Sequence, residues 1–191
     1  MLLIERRVRI VADLTERARY YYDVFEFYEG ARTRPYILDV MNDFYFFFQK
    51  QSHVHRLAMI VKLAVLFDKQ ATARVSVPAL IKEAKSYLKN SEYNQLSTEL
   101  VKLGPPIQKV QLIRNKALAH RDGAIDFNEV FSQAAVSLND LLKLIEFAKD
   151  VADILCQHHQ LKCLSFTTAE TQSDLIRMFT KLGSLFPETD N

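Results

Sequence analysis

In the stretch RNKALAHRD, Arg114 and His120 stand with five residues between them, and Arg121 and Asp122 follow directly. An arginine offers a permanently charged fork matched to phosphoryl oxygens. A histidine takes and gives a proton near neutral pH. Together these residue types could support general acid/base cleavage of a phosphodiester. The surroundings favour an anionic partner: VKLGPPIQKVQLIRNKALAHR, from Val101 to Arg121, carries Lys102, Lys109, Arg114, Lys116 and Arg121 and no Asp or Glu. Cations clustered in this way recover Coulomb energy and release counterions from a polyanion, which makes Lys109, Lys116 and Arg121 candidates for holding its phosphates. On charge alone, a solvated helix face explains the cluster equally well.

Spacing limits what one copy of the stretch can do. On a helix, residues six apart are separated by about 120° around the axis and roughly 9 Å along it, so Arg114 and His120 do not meet at one point. Two copies of the helix meeting across a dimer would converge their side chains better. Asn115 and Asp122, seven apart, do share a face and could hold a substrate oxygen or orient the imidazole.

The arginine, its polar neighbour Asn115 and the following histidine resemble the motif of the HEPN superfamily. The upstream LAVLFDKQATARVSVPALIKEAK is similar to the segment that precedes this motif in abortive-infection-type HEPN proteins. The resemblance implies an all-α domain, a HEPN-like bundle of long antiparallel helices, that dimerises. In catalytic members it also implies metal-free cleavage of RNA by attack of the 2′-hydroxyl. Under that resemblance His120 is the acid/base residue, Arg114 stabilises the charged transition state and Asn115 is a polar support. It further implies a role in phage defence or a toxin-antitoxin pair, with an antitoxin protein as partner. Many toxins paired with a nucleotidyltransferase antitoxin carry tyrosine two residues after the histidine, where this chain has Asp122, so control by nucleotide attachment is not expected here. The alternative is a catalytically inactive HEPN module that binds RNA, a nucleotide or a partner protein.

The elements that must position these residues read as helices throughout. Four glycines and five prolines are few for 191 residues, and no alternating strand pattern occurs. Ile4, Val8, Val11, Ala18, Tyr22, Phe25 and Tyr28 predict a first helix stopping at Gly30. A second, opening at Pro35, runs through the FYFFF segment as far as Phe67. With almost no polar face, that segment is expected to be central or to lie at a subunit contact. Ser76 and Pro78 start a third, a fourth covers Ser91 to Gly104, and Pro105 and Pro106 begin the fifth, which carries the quoted motif and buries Ile107, Val110 and Ile113. Asp126 with Glu129 predicts the cap of one long helix reaching Leu155, and Thr167 with Glu170 the cap of a last one. The length suits one domain over residues 1–186, with a frayed tail at 187–191.

Other chemistry is less well supported. A net charge of +2 does not by itself announce a nucleic-acid binder. Cys156, His158, His159 and Cys163 are zinc-ligand types, yet CQHHQLKC has no familiar finger spacing, and no metal or other cofactor is expected. His53 and His55 point roughly 200° apart on a helix. The pairs Asp39 with Asp43 and Asp150 with Asp153 lack a visible third ligand. RYYYDVFEFYEG is explained by packing better than by stacking of nucleobases. Glu5 and Arg6 interrupt the N-terminus too early for a signal-peptide core, and LAMIVKLAVLF is too short to span a bilayer, so a soluble, cytoplasmic protein with reduced thiols is expected.

Overall fold

A computed structural model describes residues 4–70, 75–119, 127–162 and 166–185. Its elements are α1 (Ile4–Glu29), α2 (Arg34–Asp43), α3 (Tyr45–Leu66), α4 (Val77–Ala84), α5 (Asn90–Lys102), α6 (Gly104–Ala119), α7 (Phe127–Ala134), α8 (Leu138–His158) and α9 (Thr168–Leu185). The described residues contain no strand, and the chain is all-α as its composition predicts.

Several starts follow directly from local chemistry. Ser76 accepts a hydrogen bond from the Ala79 amide at 3.4 Å and Pro78 sits in the first turn of α4, where no amide is needed. Gly104 opens α6 with Pro105 and Pro106 behind it. Gly30 directly follows α1, and only a glycine fits there, because a Cβ would clash with the Glu26 carbonyl oxygen.

Two breaks depart from the periodicity. The helix expected from Pro35 to Phe67 is interrupted at Phe44 (φ −114°, ψ 37°), which divides it into α2 and α3. The bend keeps both backbone groups of Phe44 paired, because its amide donates to the Val40 carbonyl and its carbonyl accepts from Phe48. An unbroken aromatic run is a weak helix former, and Phe44 packs partly on a neighbouring core cluster, so no proline or glycine is required to turn the chain. Nor is the run central within the chain. Phe48 is buried, but Tyr45, Phe46 and Phe47 are 53%, 79% and 55% exposed.

The second break falls in the long helix expected to reach Leu155. Ala135 adopts a left-handed φ of 47°, and Ser137 starts α8 afresh. There Ser137 Oγ accepts from the Asp140 amide at 3.0 Å, and Asp140 Oδ2 accepts from the Ser137 amide at 3.2 Å. A capping box of this kind satisfies two donors that a continuous helix would have used otherwise. Of the box expected upstream, Asp126 lies outside the described residues.

Contacts divide the chain into two compact units, one of residues 1–18 and 60–165 and one of residues 19–59 and 166–191. In the first, Val8, Leu63, Leu80, Ile113, Leu144 and Leu155 are fully or almost fully buried. Here α6, the helix of the candidate motif, packs against α5, α7 and α8. In the second, Val24, Phe27, Tyr28, Ile37, Met41, Phe48, Leu175 and Phe179 form the core, with the Phe48 and Phe179 rings stacked at 5.0 Å. Burial, and then Tyr20 nearby, pushes the Tyr28 hydroxyl up to about 12, so this tyrosine stays neutral inside its aromatic cluster.

Candidate functional site

The site is built on α6. Ile107, Val110 and Ile113 turn one side of this helix into the core, and that fixes the direction of the opposite side chains. Asn115 is exposed, and Arg114 keeps 27% of its side chain exposed. Arg114 donates from Nε and Nη2 to Asn115 Oδ1 at 3.1 and 3.0 Å. Its Nη1 stands 3.7 Å from Oδ2 of Asp68, just past the C-terminal end of α3. The amide oxygen thus orients the guanidinium as an acceptor for two of its five N–H groups. The carboxylate lies within Coulombic reach but beyond good hydrogen-bond length.

An open cleft of about 580 Å3 borders this arginine. Its lining includes Asp68, Lys69, Gln108, Gln111, Arg114 and Asn115. Gln111 also ties α6 to α3, since its Nε2 donates to the Ala64 carbonyl at 2.8 Å. Arg114 and Asn115 therefore sit together at a concave, net cationic surface. That arrangement can accept a phosphoryl group on the guanidinium and hold a polar substrate beside it.

The other candidates are placed differently. Lys109 donates to the Ala135 carbonyl at 2.8 Å and to Asp140 Oδ2 at 3.0 Å, so its ammonium joins α6 to the junction of α7 and α8. Burial pushes the Asp140 carboxyl up, but hydrogen bonds from Lys109 and Ser137 outweigh it and hold the group below its ordinary value. Lys116 donates to Gln133 Oε1 at 3.0 Å, and Gln133 in turn donates to Glu129 at 3.0 Å, a chain that runs from α6 onto α7. His120, Arg121 and Asp122 lie outside the described residues, the last described position of α6 being Ala119.

Asp68, Gln108 and Gln111 were not singled out by spacing. Asp68 is remote in sequence from Arg114, and glutamines on a helix look like ordinary surface residues. The only signal for Asp68 was its place inside the LAVLFDKQ segment that carried the resemblance.

Competing sites have structural partners. His55 lies among the rings of Tyr20, Tyr21 and Tyr28, with Nδ1 2.7 Å from the Gln51 carbonyl oxygen. His158 stacks on Tyr87 at 4.6 Å, and Cys156 is buried. Asp153 accepts from Lys149 at 2.6 Å. Asp150 is pushed up by burial and by Glu146 and Asp153, against the opposing charge of Lys149. Among the described residues no group of three or more His, Cys, Asp or Glu could hold a metal ion, and no helix is long and apolar enough to cross a membrane.

Comparison with curated proteins and with solved structures finds no match. A family comparison does: the AbiU2 family of HEPN domains matches residues 3–178, nearly the whole chain and all of the helix that presents Arg114 and Asn115. The chain is an abortive-infection HEPN module and belongs to the AbiU2 family.

Proposed function

We propose that this protein is a metal-independent endoribonuclease of a phage-defence or toxin-antitoxin system, acting as a homodimer on RNA and restrained by a separate antitoxin protein. The observation that carries the reading is the Arg114 guanidinium, held by Asn115 at the edge of an open cleft with N–H groups left over for an anion. In the proposed reaction His120 removes the proton from an RNA 2′-hydroxyl. The 2′-oxygen attacks the adjacent phosphorus, and the bond from phosphorus to the 5′-oxygen breaks. The departing oxygen receives a proton from an imidazolium, supplied by His120 of either subunit. Arg114 stabilises the charge that gathers on the non-bridging oxygens, and Asn115 keeps the fork aimed. Lys116 and Arg121, with Lys109 where its ties to Asp140 and Ala135 can be exchanged, hold flanking phosphates, and Asp122 supports the imidazole. The products are a 2′,3′-cyclic phosphate and a 5′-hydroxyl.

A second reading has one observation in its favour. Asp68 already neutralises part of the Arg114 charge, which suits an arginine that holds a ligand without turnover. In that case the module binds RNA, a nucleotide or a partner protein and cleaves nothing. The deciding experiment is incubation of mixed cellular RNA with purified protein in EDTA, beside His120→Ala and Arg114→Ala, with product ends identified. Cyclic phosphate ends from the wild type, reduced at least a hundredfold in His120→Ala, are expected of the enzyme, in line with the usual contribution of a general acid/base. Equal inertness of all three across a range of RNAs gives the silent module.

A further inference from the structure

We infer that the cleft beside Arg114 is a nucleobase subsite, in which the side-chain amides of α6 read the edge of the base belonging to the nucleotide whose phosphate Arg114 holds. The inference rests on the RNA-binding reading above and adds to it a specificity-determining surface. Gln108, Gln111, Leu112 and Asn115 all line the cleft. At 100° per residue their side chains fall within an arc of about 100° on α6, so three amides and one leucine form a single stripe. Arg114 borders that stripe.

Hydrogen bonds already made fix the orientation of two of the amides. The Ala64 carbonyl can only accept, so Gln111 faces it with Nε2, and Gln111 Oε1 is left as an acceptor. The guanidinium of Arg114 can only donate, so Asn115 faces it with Oδ1, and Asn115 Nδ2 is left as a donor. One helical turn therefore presents an oriented acceptor and an oriented donor to the same cleft. A nucleobase edge carries a complementary donor and acceptor side by side, and paired amide contacts of this kind discriminate between bases. Leu112, 38% exposed, supplies an apolar contact for the ring face. The volume of about 580 Å3 lies within the span of about 300–1,000 Å3 usual for small-molecule clefts. A phosphate alone would use the cations and make no use of Gln111 Oε1, Asn115 Nδ2 or Gln108. The stripe calls for a planar polar group attached to the anion.

The test measures equilibrium binding of 2′-O-methyl tetranucleotides of A, C, G and U, whose blocked hydroxyls prevent cleavage, to the full-length protein. The variants are Gln108→Ala, at an exposed position, and Gln111→Met, whose melting is followed because it also loses the tie to Ala64. Wild type is expected to separate the best from the worst base by about five- to tenfold, and each variant to narrow that gap to about twofold while the weakest affinity stays in place. Arg114→Ala should weaken all four alike. Equal wild-type binding of the four tetranucleotides, or a gap between best and worst base that keeps its wild-type size in both glutamine variants, overturns the subsite while the ribonuclease reading stands. Absence of binding to all four, or binding indifferent to Arg114→Ala, overturns both.

Discussion

At the scale of single residues, the decisive relation is between Arg114 and its two neighbours. Asn115 was legible as a polar support only through the family resemblance, because residues one apart on a helix do not ordinarily face each other. The structure adds the hydrogen bonds that join the pair. The approach of Asp68 was not legible, because only the folded contact between α6 and the end of α3 brings it within 3.7 Å. The two neighbours act in opposite senses on an incoming phosphate. Asn115 is neutral and leaves the cation at full strength, whereas Asp68 repels the anion and competes for the fork. Both side chains of the ion pair are partly exposed, so the competition is worth what a surface pair is worth, about 0.2–1 kcal/mol. Asp68→Asn is therefore expected to tighten RNA binding by up to about fivefold, with the gain fading as salt rises. Titration of a non-cleavable RNA at two ionic strengths reads this. Weaker binding in the variant would mean instead that the carboxylate is needed to place the arginine.

At the scale of elements, the legibility of each helix followed the kind of signal that marks its ends. Ser76 with Pro78, and the prolines after Gly104, are local chemistry, and α4 and α6 begin beside them. The breaks at Phe44 and Ala135 were hidden because the apolar spacing runs through both without a proline or glycine. At the second break the code was present in Ser137 and Asp140 but masked by the periodicity of Val130, Ala134, Leu138 and Leu141. This junction has a measurable thermodynamic signature. Ser137→Ala removes the acceptor for the Asp140 amide and should cost about 1 kcal/mol, or about 2–4 °C in melting temperature for a chain of this size. Asp140 adds a pH dependence of definite sign. Its carboxyl titrates lower in the folded chain than in the unfolded one, so its contribution is complete above the ordinary value of 3.8 and is lost as pH falls through the folded value. The stability gap between wild type and Asp140→Asn should thus be widest at neutral pH and close in acid. A gap that held constant through acid unfolding curves would remove Asp140 from the capping account.

At the scale of the whole molecule, helical composition and scarce glycine were enough to read an all-α chain. The division into two compact units was not legible, since α1 and α3 each pass uninterrupted through the residue boundaries of both. Net charge was similarly uninformative: +2 over 191 residues conceals the acid-free run from Val101 to Arg121. The distinction between global and local charge makes a prediction for RNA binding that neither quantity makes alone. Were binding governed by overall charge, its salt dependence would be slight and insensitive to any one substitution. If instead Arg114, Lys116 and Arg121 each neutralise one phosphate, single-stranded RNA should bind with a slope of log K against log salt of roughly −2, at about −0.7 per phosphate. Lys109, tied to Asp140 and the Ala135 carbonyl, should add little to that slope unless RNA displaces those partners. Replacing Arg114 by Ala should make the slope shallower by about 0.7, and Lys109→Met should leave it nearly unchanged. Binding measured between low and moderate salt decides the matter. A slope near zero, or equal changes from the Arg114 and Lys109 substitutions, would show that RNA does not select the face of α6 on which Arg114 and Asn115 lie.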